Sequence, residues 1–131
     1  MKIIEGPSEE QLSRLQEVLG NEKDAGIVDI FGPMVSVYLG AVDADSLVGV
    51  ASISLGEECA ELYKLYVIPS SRRKGIGRTL AEATVEYLRV RNIRELNVEI
   101  VGRSRHFWES FASDFEILWY SHEKFRIAIP E

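Results

Sequence analysis

One cysteine, two histidines and four prolines in 131 residues set the first limits on this chain. Cys59 alone cannot form an internal disulfide, and neither it nor His106 or His122 has partners at metal-ligand spacing. No metal site is expected, a reducing cytoplasm is the expected compartment, and a small buried side chain is the expected role of Cys59. No run approaches the ~18 apolar residues of a membrane span. Met1-Lys-Ile-Ile-Glu5 lacks the apolar core of a secretory leader. Positive charge is in deficit: 15 Lys and Arg stand against 21 Asp and Glu, a net charge of −6. That balance disfavours a general nucleic-acid binder and suits a cationic or amine ligand. Linkers, internal repeats and low-complexity tracts are missing too. What remains is a mixed sequence, 46% hydrophobic, long enough for one domain over 1–131 with its own core.

What is present alternates between two periods. Lys2–Glu5 reads as a strand. Ser8 precedes Gln11 by three residues, a capping-box signature, and Leu12, Leu15 and Leu19 line one helical face that Gly20 is expected to stop. Residues 21–33, with a short apolar patch at Ile27–Phe31, read as a loop with room for one helical turn. Val35–Val42 and Leu47–Leu55 form a hairpin about Asp43-Ala-Asp-Ser46. Gly56-Glu-Glu58 leads into a strand over Ala60–Ile68. Ile76, Leu80, Ala83, Thr84, Tyr87 and Leu88 hold helical spacing as far as Asn92. Leu96–Val101 is a strand, Ser104 caps a short helix that buries Phe107, Trp108 and Phe111, and strands near Glu116–Tyr120 and Phe125–Ile129 close the chain. The order β-α-β-β-β-α-β-α-β-β predicts an α/β fold with a mixed sheet and a right-handed crossover within residues 60–101.

The segment Leu65-Tyr-Val-Ile-Pro-Ser-Ser-Arg-Arg-Lys-Gly-Ile-Gly-Arg-Thr-Leu80 carries the chemistry. A strand runs into a turn of cations and glycines, and a helix follows at once. Unpaired N–H groups at a helix start, with the positive end of the helix dipole behind them, hold anions. Gly75 and Gly77 let the main chain approach a phosphate, and Arg72, Arg73, Lys74 and Arg78 add charge. Three phosphate patterns compete. Walker A needs G-x-x-x-x-G-K-[ST], which is missing. The dinucleotide pattern G-x-G-x-x-G fits at Gly75 and Gly77 but finds Leu80 at its third glycine, although Glu99 lies ~20 residues on, where that pattern puts its ribose acid. A nicotinamide-binding enzyme is therefore the weakest reading. The third pattern, Arg72-x-x-Gly75-x-Gly77, resembles the pyrophosphate loop of the GNAT superfamily of acetyl-CoA-dependent N-acyltransferases.

The resemblance spans almost the whole chain and implies a GNAT-like three-layer fold, a mixed central sheet flanked by helices. One departure is the first helical region, which the family usually builds from two helices and this chain from one convincing one. It implies that the loop from Arg72 through Arg73, Lys74, Gly75, Ile76, Gly77 and Arg78 to Thr79 binds acetyl-CoA. The Leu65 N–H would face the thioester carbonyl, and Val67 would pair with the pantetheine arm. Ala60-Glu61 resembles the Ala-Glu pair of the histone-acetyltransferase branch, in which the glutamate is the general base. The alternative for Glu61 is a solvent-facing strand residue beside Glu57 and Glu58. Where many members carry a tyrosine that protonates the leaving thiolate, this chain has Trp108. Ser104 stands near a usual asparagine, and Ser113-Asp-Phe115 replaces Gly-Phe. Tyr63, Tyr120 or solvent remain as acids. Asp24 and Asp29 lie where members build the substrate mouth.

The expectation is an acetyltransferase acting on a primary amine of a small molecule or peptide by direct attack, as monomer or homodimer. The alternative is an acyl-CoA-binding sensor or regulatory module of the same fold.

Overall fold

The computed structural model describes all 131 residues, and its elements follow the predicted order. They are β1 (Lys2–Glu5), α1 (Glu9–Asn21), β2 (Val37–Asp43), β3 (Ser46–Leu55), β4 (Cys59–Val67), α2 (Ile76–Arg89), β5 (Glu95–Glu99), α3 (Arg105–Ala112), β6 (Ile117–Trp119) and β7 (Lys124–Ala128). A 3-10 turn, Pro69–Ser71, separates β4 from α2. Seven strands form one sheet in the order β1-β2-β3-β4-β5-β7-β6. Only β4 and β5 run parallel, because α2 carries the chain back between them.

Strand alternation sorts the side chains onto two faces. Leu62, Leu96, Val98, Phe125 and Ile127 pack under α2 and α3 against Ala81, Val85, Leu88, Trp108 and Phe111. Val50 and Tyr66 point the other way and pack under Leu12, Leu15 and Leu19 of α1, with Ile30. Both predicted hydrophobic stripes are therefore core. The Ser8 hydroxyl accepts from the Gln11 N–H at 3.1 Å, and the Gln11 side chain accepts from the Ser8 N–H at 2.8 Å, completing the capping box. The hairpin turn places Ala44 and Asp45 at φ 49° and 63°, the backbone of a type I′ turn, whose twist matches its strands.

Four local expectations are corrected. The helix α1 passes Gly20 and ends at Asn21, because the Glu22 N–H still bonds the Leu19 carbonyl. Ile27–Phe31 forms no helical turn; the Gln16 side chain pins this stretch, donating to the Val28 carbonyl and accepting from the Ile30 N–H. Ser104 precedes α3 but makes no side-chain cap, since its hydroxyl donates to the Val101 carbonyl. Cys59 is exposed, sharing with Glu61 the α1 face of the sheet at a part that α1 does not cover. No helix is long and apolar enough to cross a membrane.

Candidate functional site

The parallel pairing of β4 and β5 stops at Leu62↔Val98, while β4 continues alone to Val67. A bulge lies just there: Ser52 faces Lys64 and Ile53 faces Leu62, so Tyr63 has no direct partner on β3. A bulge bends and twists its strand, and β4 turns away from β5, which stays with β7. The sheet therefore splits at its centre. The Ile68 N–H bonds the Val48 carbonyl on β3. By alternation, Tyr66 and Lys64 also direct their main-chain groups at β3, and Leu65 and Val67 direct theirs into the split.

A cleft of about 720 Å³ fills this opening, within the range of small-molecule sites. Its floor is β4 from Leu62 to Val67, and Ile76, Val101, Phe107 and Trp108 give it apolar walls. At one end lies the start of α2. Gly75 precedes the helix at φ 79°, a left-handed conformation that suits glycine, and a Cβ there would meet nothing within 4 Å. The first capped bond runs from the Thr79 N–H to the Gly75 carbonyl, and the Thr79 hydroxyl donates to the same oxygen at 2.9 Å. The amides of Arg73 through Arg78 bond no protein acceptor, so consecutive N–H groups face outward at the positive end of α2. Gly77 lies under Phe107, whose ring edge would be 3.4 Å from an added Cβ. This cradle, the apolar slot and the free strand edge fit the pyrophosphate and pantetheine arm of a CoA thioester.

The structure brings Leu65, Val67, Arg72, Arg73, Gly75, Ile76, Gly77 and Arg78 to the cleft, and leaves Lys74 and Thr79 on the outer side of the turn. The cations divide differently from the simple expectation. Arg72 folds back: its Nε donates to the Val67 carbonyl at 2.9 Å, and its two terminal nitrogens clamp Glu22, each at 2.8 Å. Tyr66 donates its hydroxyl to the same carboxylate at 2.7 Å. Arg78 pairs with Asp114 at 3.0 Å. Only Arg73 and Lys74 keep their charge unpaired near the turn. Arg72 thus braces the turn before α2 against the end of α1.

The brace perturbs both acids. The Arg72 guanidinium holds the Glu22 carboxyl below the usual 4.5, with burial opposing and the Tyr66 hydroxyl assisting. Burial, then the Glu22 hydrogen bond, pushes the Tyr66 phenol well above its ordinary 10. A depressed carboxylate stabilises the fold above its unfolded pKa, and that contribution fades as pH falls through the folded value. Glu22→Gln is therefore expected to lower stability at pH 7 by about 1–2 kcal/mol, discounted because Arg72 is partly exposed. The gap from wild type should narrow as pH falls below the ordinary carboxyl range and close only once it passes the lowered folded value. Urea titrations from pH 7 down into the acid range measure it; a gap that stays constant with pH would mean that it does not come from the ionised carboxylate.

Glu61, the expected general base, lies outside the cleft lining, exposed on β4 opposite Asn97 of β5. Glu99 lies two residues beyond Asn97, on the same sheet face, and it does line the cleft. Lys124 stands 3.9 Å from its carboxylate. In the sequence Glu99 stands out only by its distance from the glycines, whereas its place at the cleft comes from where β5 ends. Asp24 lines the cleft, but Asp29 does not, because its carboxylate accepts from the Phe31 N–H at 2.7 Å. Trp108 is 4% exposed and packs edge-on against Phe107 and Phe111, so it brings no acid to the cleft. Tyr63 lines the cleft and Tyr120 does not.

Residues 9–112 match the family model described as the acetyltransferase (GNAT) family. No curated protein sequence matches the chain. Solved structures do, over nearly full length on both sides. The ribosomal-protein-S18-alanine N-acetyltransferase of Escherichia coli superposes with a TM-score of 0.77 at 13% identity, covering 99% of this chain and 96% of that one. The PaiA N-acetyltransferase of Thermoplasma acidophilum, solved in complex with coenzyme A, gives 0.72 at 19% identity, covering 97% and 98%. Aminoglycoside 6′-acetyltransferase type Ii gives 0.71 at 20% identity, covering 100% and 99%. At these identities the superpositions establish the fold, and the family model, spanning most of the sequence and the whole β4–α2 loop, establishes the family: this chain belongs to the GNAT acetyltransferases.

Proposed function

We propose that the chain moves an acetyl group from acetyl-CoA to a primary amine of a small molecule or peptide, by direct attack within the split. The observation that carries the reading is the free edge of β4 running straight into the unpaired amides of α2. Acetyl-CoA supplies the acyl group already activated as a thioester. The amides of Arg73 to Arg78 hold its pyrophosphate, with Arg73 and Lys74 adding charge at the turn. The Leu65 N–H points at the carbonyl oxygen and stabilises the negative charge that grows there as the amine nitrogen bonds to carbon. The Val67 carbonyl is already engaged by Arg72, so Val67 offers the arm its N–H.

The amine must lose a proton to attack. Two carboxylates share the sheet face on which it arrives: Glu99 at the cleft and Glu61 beside it on β4. We assign them to one relay, with Glu99 nearest the amine and Glu61, the base implied by the Ala60-Glu61 pair, reached through water. As the carbon–sulfur bond breaks, the thiolate is protonated by Tyr63 or by solvent; a thiol is acidic enough to leave with little help.

CoA is expected to raise the melting temperature by several degrees, since ligand at about 100-fold over Kd contributes ~2.7 kcal/mol. NADH is expected to leave it unchanged. A rise with NADH and none with CoA would overturn the assignment. Acceptor class is read by following CoA thiol release against polyamines, amino acids, aminoglycosides and peptides with free N-termini. CoA binding without turnover on any of these amines would favour a sensor.

A further inference from the structure

Two glycines from opposite sides of the split touch main chain to main chain. Gly26, at φ +81°, belongs to the loop between α1 and β2, and Gly102, at φ +57°, to the turn between β5 and α3. A Cβ on Gly26 would fall 2.5 Å from the Gly102 Cα, and one on Gly102 would fall 2.9 Å from the Gly26 Cα. No side chain fits between them. Their neighbours Ala25 and Ile27 on one side, and Val101 and Arg103 on the other, line the cleft whose floor is β4. The contact therefore spans the split.

The loop carrying Gly26 is tied at both ends and free between them. Glu22 is held by Arg72 and Tyr66, while Val28 and Ile30 are held by the Gln16 side chain. Facing it, the Gly102 turn is fixed by the Ile100 N–H to the Glu123 carbonyl and by the Ser104 hydroxyl to the Val101 carbonyl. No hydrogen bond joins the two loops. A span anchored at its ends and closed by packing alone can lift without unfolding anything else.

We propose that residues 23–27 form a strap, latched on Gly102, that closes over the acyl end of bound CoA and sets how fast CoA leaves. The inference rests on the reading that the pantetheine arm occupies the split. The phosphate cradle lies outside the strap, so a ligand that fills only the cradle comes and goes freely. The strap also shields the thioester from water, leaving the face of Glu61 and Glu99 as the acceptor's route.

The test compares release of CoA with release of adenosine 3′,5′-bisphosphate, which carries phosphates and adenosine but no arm. Gly26→Asn and Gly102→Asn each force the loops apart, and asparagine tolerates positive φ, so strain is kept small. Gly6→Asn is the control, since Gly6 also has positive φ (+64°) with open space around it. Dissociation from immobilised protein into ligand-free buffer, followed by surface plasmon resonance, reads the rate for each ligand. Both latch variants are expected to release CoA about tenfold faster or more. Release of the bisphosphate should be unchanged, and Gly6→Asn should match wild type for both ligands. Unchanged CoA release in both variants overturns the strap alone, as does equal acceleration of the bisphosphate. Failure of the wild-type protein to bind CoA at all overturns the strap together with the functional reading beneath it.

Discussion

Gly75→Asp is expected to abolish CoA binding, with affinity reduced about 100-fold or more, ~2.8 kcal/mol, while the fold survives. Room decides the second half of this outcome. A Cβ at Gly75 meets nothing within 4 Å, and aspartate is among the residues that tolerate a left-handed backbone, here φ 79°. An acid at the start of α2 also favours the helix, because it complements the dipole. The same features make it ruinous for the ligand. The carboxylate occupies the space over the amides of Ile76 to Arg78, satisfies their charge, and repels the phosphates. Gly77→Asp should act alike with somewhat less stability, since its Cβ comes within 3.4 Å of Phe107. Calorimetric titration with CoA gives the affinity and thermal melting checks the fold. Unchanged affinity in a folded variant would place the phosphates elsewhere.

Glu99→Gln and Glu61→Gln are each expected to lower kcat/KM by about 100-fold, the usual worth of a general base, with CoA affinity near wild type. Glutamine keeps the size and removes the basicity. If the carboxylates act as one relay, the double variant should be hardly worse than either single one, because residues acting as a unit are not additive. Each deficit should shrink as pH rises toward the pKa of the amine, which then arrives deprotonated. Wild-type activity in Glu61→Gln, on a confirmed acceptor, would remove Glu61 and leave Glu99 as the base alone. The converse result would return the role to the strand position that the sequence resemblance indicates.

Most of the fold could be read in advance because its signals are local. The leucines of α1, the capping box at Ser8, the turn at Ala44-Asp45 and Gly75 ahead of α2 each act within a few residues. The turn of free amides at the start of α2 is legible for the same reason. What escaped the sequence depends on chain segments far apart. Arg72 looks like a phosphate ligand until Glu22, fifty positions earlier, captures it. Glu99 comes to line the cleft only because β4 peels from β5 at the bulge near Tyr63. Cys59 has the composition of a buried residue, yet α1 is too short to cover its part of the sheet.

The split in the sheet has a bearing on how the protein keeps to itself. Leu65 and Val67 present an unsatisfied strand edge in the middle of the molecule, the kind of surface that templates pairing with a stray chain and seeds aggregation. Three features blunt it. The bulge breaks its register near Tyr63, the Arg72 side chain occupies the Val67 carbonyl, and the Gly26–Gly102 crossing narrows the approach. A polypeptide strand, with side chains alternating to both sides and a ladder of bonds to make, finds neither width nor partners. A slim, unbranched arm with a few amides meets no such obstacle, so the edge can stay unpaired for its ligand without becoming a seam between molecules.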